Sequence, residues 1–262
     1  MKRALFLLGV VVLTGALWFA LLDAPLPESK RGAEADALAR SMMRATGNSG
    51  WDRTGAITWR TEGRRHVWDR RRNVARVQWA GHDVKVNLET LTGEALSGGD
   101  PVMDPAEVDL LISKAYAFWA QDHFFLYPFD SLFDAGTTRG KTASGGLLIS
   151  YPQAPSSRPE GYEGPIKWWG DPRGWKRGVP QEPLRLGLTP GDSYVWSLGA
   201  DGLPERCLMW AAILPLGGAE VSWSGWQTLS TGAKVATIHK GFRVDRHITE
   251  LRAAADLESL ER

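Results

Sequence analysis

The chain has one cysteine, Cys207, in 262 residues. That excludes an intrachain disulfide and any cysteine-built zinc site. No cysteine follows the N-terminal apolar run, so the position at which a lipoprotein carries its acyl group is empty. A basic excess is also missing: 31 Lys and Arg stand against 30 Asp and Glu. Removing residues 1–25 takes out Lys2, Arg3 and Asp23 and leaves the balance even. A nucleic-acid binder needs surplus cations to displace counterions from phosphates, so nucleic acid is not an expected partner. The five histidines, His66, His82, His123, His239 and His247, form no His-x-x-x-His or His-Glu-x-x-His pair, and no metal site is expected. Ser222-Trp223-Ser224-Gly225-Trp226 lacks the first glycine of a nucleophile elbow. No phosphate-binding loop occurs; Gly145-Gly146 and Gly217-Gly218 read as turn glycines. No cofactor is implied, and there is no internal repeat.

The clearest positive signal is at the start. Lys2 and Arg3 precede Ala4 to Leu22, a stretch without a charge, and Asp23, Pro25 and Pro27 end it. A basic flank followed by an apolar run is what the export machinery reads. At the helical rise such a run spans about 28 Å, close to the hydrocarbon thickness of a bilayer. Cleavage after Thr14-Gly15-Ala16 would leave Leu17 to Leu22 as an exposed apolar tail. The expectation is therefore an uncleaved anchor on the periplasmic side of an inner membrane, with secretion as the outcome if the segment is cut. Residues 1–25 form the anchor, 26–32 a polar linker, and 33–262 a single domain.

Hydrophobic residues make up 43% of the chain, enough to build a core. A helix is expected from Ala33 to Thr46, with Ala35, Leu38, Met42 and Ala45 on one stripe and Gly47-Asn48 as its stop. Strands are expected at 56–61, 66–69, 74–79 and 84–88, where Val84-Lys85-Val86-Asn87-Leu88 alternates with period two. Asp104 caps a second helix with Pro105 at its first position, and Val108, Leu111, Ile112, Ala115 and Trp119 form its apolar stripe. The aromatic stretch His123 to Phe129 follows it. Further strands are expected near 146–151, 193–198, 206–210, 219–224, 226–229, 233–239 and 242–245, with 248–260 ambiguous. A Pro/Gly/Trp segment at about 152–183 is longer than an ordinary hairpin loop. The order helix, four strands, helix, six or more strands predicts an α+β fold, mainly antiparallel β: one curved sheet with helices against one face.

Candidates for chemistry are few. His66 and Asp69 lie three apart on an expected strand and face opposite sides. His123, with Asp122 beside it and Asp130 further on, is a candidate general base; a histidine bonded to a backbone carbonyl is the simpler reading. Arg64-Arg65 and Arg70-Arg71-Arg72 form the densest basic patch, suited to anionic lipid headgroups or to a solvated hairpin end.

Helix, strand Ile57-Thr58-Trp59-Arg60, then His66-Val67-Trp68-Asp69 and strand 74–79 resemble the first part of the LolA/LolB-type lipoprotein carriers and receptors. The Phe124 to Phe129 stretch, Tyr194 to Leu198, Leu208-Met209-Trp210, Trp223 to Trp226 and Val235 to His239 resemble their later elements, over about residues 33–250. The resemblance implies a half-open β-barrel with helices covering its concave face and a cavity for acyl chains. Thirteen tryptophans supply apolar surface for such a cavity. The residues expected to line it are Trp59, Trp79, Phe124, Phe125, Tyr127, Trp196, Trp210 and Trp223, with Trp168, Trp169 and Trp175 as loop candidates. The function expected is non-enzymatic binding of a lipid or an acylated protein. A second reading stays open: an exported hydrolase or carbohydrate-acting enzyme that uses the 152–183 loop as a stacking platform, with Asp171 or Glu163 for acid–base work.

Overall fold

The fold was read from a computed structural model, which describes residues 23–151, 191–211, 217–241 and 244–262. Its fifteen strands are β1 (Ser29–Lys30), β2 (Ala56–Thr61), β3 (Arg64–Asp69), β4 (Val74–Trp79), β5 (His82–Asn87), β6 (Gly93–Ser97), β7 (Asp100–Pro101), β8 (Thr138–Thr142), β9 (Leu147–Ser150), β10 (Ser193–Leu198), β11 (Pro204–Trp210), β12 (Ala219–Thr228), β13 (Lys234–Gly241), β14 (Val244–His247) and β15 (Thr249–Ala254). Four helices join them: α1 (Ala33–Ala45), α2 (Asn48–Arg53), α3 (Pro105–Leu126) and α4 (Leu257–Glu261).

The strands form two antiparallel sheets, not the single sheet expected. One runs β1-β8-β9-β10-β11-β12-β13-β14, the other β15-β2-β3-β4-β5-β6-β7. The crossing is short. Val244 to His247 pairs with β13, and Thr249 onward pairs with β2. Ile248 N–H still donates to Thr237 of the first sheet, 2.8 Å away. Glu250, at φ 50°, lies at the bulge where the β15–β2 register shifts between Thr249 and Arg252.

Hairpin chemistry fixes the second sheet. Between β2 and β3, Glu62 and Gly63 both have positive φ (46° and 75°), and Ala80-Gly81 repeats this between β4 and β5 (43° and 84°). Two-residue turns of that hand match strand twist. Alternation then buries Ala75, Val77 and Trp79 of β4 and Val84 and Val86 of β5 on one face.

Helix α1 buries Ala35, Ala39 and Met42 at spacings of four and three. Gly47, in the left-handed conformation, ends it as expected, but the chain re-enters a helix at once. The Gly47 carbonyl accepts from Gly50 and Trp51 N–H at 2.8 and 3.0 Å, and Trp51 is buried. Helix α3 starts where expected: Asp104 Oδ1 accepts from Ala106 N–H at 3.2 Å, with Pro105 following the cap. It runs further than expected, through Leu126, and takes in the first half of the aromatic stretch. Four strands carried no usable pattern. β1 and β7 are two residues each. β6, Gly-Glu-Ala-Leu-Ser, is short and weakly apolar. β8, Thr-Arg-Gly-Lys-Thr, has no large apolar residue and is held by the β9 ladder and by Arg139 bonding Asp36 of α1 at 2.6 Å.

Close backbone approach makes one glycine diagnostic. A Cβ on Gly50 would lie 2.1 Å from backbone atoms of Gly232 and Ala233. Gly50→Ala must part α2 from the β12–β13 turn. It is expected to cost roughly the upper end of the 1–3 kcal/mol typical of overpacking, read by urea denaturation; an unchanged midpoint would contradict this packing.

Candidate functional site

Helix α3 lies between the two sheets, and its sequence explains why. Leu111, Ile112, Ala115 and Trp119 make a single buried stripe, but from Trp119 onward almost every side chain is buried. A helix apolar on all sides needs cover on all sides. It meets the second sheet at Phe118, edge-on to Trp79 at 5.4 Å, and at Trp119, edge-on to Trp68 at 5.2 Å. Its last turn meets the first sheet: Phe124 contacts Tyr194 at 5.2 Å, and Phe125 stacks on Trp223 at 5.7 Å.

Of the residues expected to line a cavity, five gather here. Phe124, Phe125, Trp196 and Trp223 form one buried cluster, with Trp196 to Trp223 at 4.9 Å. Tyr127 joins it through Phe129 and also stacks on Trp51 at 4.0 Å. Trp59 and Trp79 are buried on the second sheet, Trp59 stacked on His66 at 4.6 Å. Trp210 stands apart: it is half-buried, and its indole donates to Ala24 O at 2.7 Å. Trp168, Trp169, Trp175, Glu163 and Asp171 lie outside the described residues, as do residues 1–22. Among the described residues no helix is long and apolar enough to cross a membrane.

The interior also holds charge. Asp122 of α3 has no solvent exposure. Arg64 of β3 binds it through Nε at 2.7 Å and a terminal nitrogen at 3.0 Å. Arg246 of β14 binds Oδ1, the oxygen that the Arg64 terminal nitrogen also reaches. His66 Nε2 lies 2.8 Å from Oδ2, and because a carboxylate only accepts, that nitrogen carries the proton. Glu62 binds both arginines, at 2.5 and 3.1 Å, so two cations face two anions. Each guanidinium also lies over a ring of α3, Arg64 over Phe118 at 4.8 Å and Arg246 over Phe125 at 4.4 Å.

Burial alone would raise the Asp122 carboxyl; hydrogen bonds from His66 and Arg64 and the charge of Arg246 outweigh it and hold the group below the usual carboxylate range. Burial, joined by the charges of Arg64 and Arg246, lowers His66 more than Asp122 raises it, so His66 is a neutral donor. Burial also lowers His239 to about 3; its Nε2 donates to Ala236 O at 3.1 Å.

Sequence adjacency paired Asp122 with His123. The fold gives Asp122 to His66 instead, and stacks His123 on Trp119 at 4.8 Å. One sequence signal does point to the cluster: a carboxylate flanked within three residues by Trp119 and Phe125 on a helix cannot be buried without counter-charge. The basic patch also divides. Arg64 enters the core, and Arg70 lies over Trp51 and Trp68 and donates to Thr54 O at 2.8 Å, while Arg71 and Arg72 are exposed.

Among the described residues no group of three or more His, Cys, Asp or Glu side chains is arranged to hold a metal ion. An open depression of about 600 Å³, bordered by Arg53, Ser230, Thr231 and Ser259, lies away from the aromatic cluster. Comparison with known proteins finds no matching family model, no matching curated protein and no matching solved structure.

Asp122→Asn removes the charge that two buried cations require. It is expected to destabilise the protein by about 3–5 kcal/mol at pH 7 in urea denaturation; a loss under about 1 kcal/mol would remove the cluster's structural role.

A pH dependence follows from the depressed histidines. The unfolded chain protonates them near 6.5, the native state only at lower pH, so their contribution is complete above 6.5 and is lost as pH falls below it, toward about 3 for His239. The slope is up to about 1.4 kcal/mol per pH unit for each such histidine. Stability measured from pH 7 to 5 should fall, and His239→Gln should flatten the fall; an identical slope in that variant would contradict the assignment.

Proposed function

We propose that this chain is a non-enzymatic extracytoplasmic protein, anchored by residues 4–22, that takes up an apolar ligand carrying carbonyl groups: a lipid or an acylated protein. In this reading the two sheets, joined at β14–β15, act as the wall of a half-open barrel, and α3 is the cover over its concave side. The open edges are β1 and β7, the outermost strands of the two sheets.

The observation that carries the reading is a set of indole N–H groups. Trp59, Trp68 and Trp79, on successive strands of the second sheet, and Trp119 of α3 are buried, and their Nε1 atoms have no acceptor among the described residues. A buried donor without an acceptor costs about 1–3 kcal/mol. Lifting α3 would expose a face that combines aromatic surface for an acyl chain with donors for its ester or amide carbonyls. The aromatic contacts that α3 makes now are the ones such a ligand would replace.

The test uses residues 23–262, exported behind a cleavable leader, purified gently and extracted with organic solvent for denaturing mass spectrometry. A stoichiometric lipid in the extract, or saturable binding of a fluorescent fatty acid to delipidated protein, is expected. Trp223→Leu, if it keeps the native circular dichroism, should bind several-fold more weakly. A clean extract together with no saturable fatty-acid binding would overturn the proposal.

A further inference from the structure

The stretch following the apolar run is not a free linker. Ala24 N–H donates to Gly217 O at 3.1 Å, and Gly217 N–H donates to the Asp23 carboxylate at 2.7 Å. The Trp210 indole donates to Ala24 O at 2.7 Å. Gly218 gives the room: a Cβ there would meet the Ala24 side chain at 2.9 Å. Five residues on, Ser29 and Lys30 pair with Thr142 and Lys141 as edge strand β1. Met209 is buried and Trp210 is not, so Trp210 lies on the outer face of its sheet, and the stretch 23–30 is a strap tied at one end to Trp210 and Gly217 and at the other to β8.

The strap fixes where the apolar run leaves the domain. Leu22 is its last residue and Asp23, the next, is already bonded. Asp23 and Ala24 span at most about 7 Å. The headgroup layer is roughly 5–8 Å deep on each side of a bilayer. With Ala4 to Leu22 in the hydrocarbon, Trp210 stands at the depth of the headgroups, where an indole is favoured. We propose that the Trp210 end of the first sheet is a membrane-facing surface, clasped to the anchor by Asp23, Ala24, Trp210 and Gly217, so that the domain is held on the bilayer and not on a loose tether. This rests on the reading of residues 4–22 as a membrane anchor.

The opposite end of β11 is the turn holding Asp201, which is exposed. The seven residues of β11 set these ends about 23 Å apart. That separation makes the proposal measurable with the full chain reconstituted in phosphatidylcholine vesicles. In a Cys207→Ala background, a fluorophore is placed at Ala211→Cys or at Asp201→Cys, with nitroxide on a fraction of the headgroups. Leu26→Cys, on the strap and exposed, is the second near position if Ala211→Cys fails to fold.

Flotation reports anchoring, and quenching reports orientation. Vesicle-bound protein with quenching several-fold stronger at the near position than at 201 is the expected result. Asp23→Ala combined with Trp210→Phe should keep flotation and shrink that contrast. Equal or stronger quenching at 201 in floating protein, or a contrast untouched by the double substitution, would overturn the clasp while leaving the anchor standing. Failure of the unsubstituted chain to float would overturn both.

Discussion

A carboxylate with no access to water sits where helix α3 meets both sheets, and the fold is arranged around neutralising it. Asp122 belongs to the helix, Arg64 and His66 to the second sheet, and Arg246 to the first. A buried ion pair is weak evidence of net stability, since desolvation cancels much of the attraction. Its effect on uniqueness is a separate matter. Sliding α3 by a turn, or slipping β14 by one residue, would leave one cation or the anion buried alone. The apolar contacts of α3 are less selective, because aromatic rings on both sheets accept many offsets. Hydrophobic burial holds the helix between the sheets, and the charges fix its register there.

The same division explains the interior. Tryptophan and phenylalanine fill the space between the sheets, and Trp68, Trp119 and His123 pack face and edge within 5.2 Å. Filling space with indoles has a cost that aliphatic side chains do not carry, because each brings a donor. The four Nε1 groups around α3 that have no acceptor among the described residues are the feature that a purely structural core does not require. That is why the proposed ligand is an acyl compound with carbonyl oxygens.

Much of the fold was legible where period and chemistry agreed. β4 matches its alternating pattern residue for residue, and Asp104-Pro105 marks the start of α3. The misses have separate causes. β1 is held by Thr142 and Lys141, far away in sequence, while β7 and β8 sit in local hairpins with β6 and β9 but are too short or too polar to carry a pattern. The split into two sheets rests on a change of partner between His247, paired with β13, and Thr249, paired with β2, which no residue type there announces. At the site, the aromatic residues were legible as a group because composition reveals them. The pairing of Asp122 with Arg64 and Arg246, 58 and 124 residues away, was not, although an acid set among the aromatic residues of a helix needs a partner if it is buried. Trp210 shows the limit of composition: the same residue type serves a surface clasp as readily as a core.

If one buried charge cluster makes two sheets and a helix into a single unit, they open together. Hydrogen exchange of the native protein at pH 7, followed amide by amide, reads this. One shared opening free energy is expected for the C-terminal half of α3, for β3 and β2, and for β13 and β14, with a split into two separate values in Asp122→Asn. Separate opening free energies for the two sheets in the unsubstituted protein would contradict it.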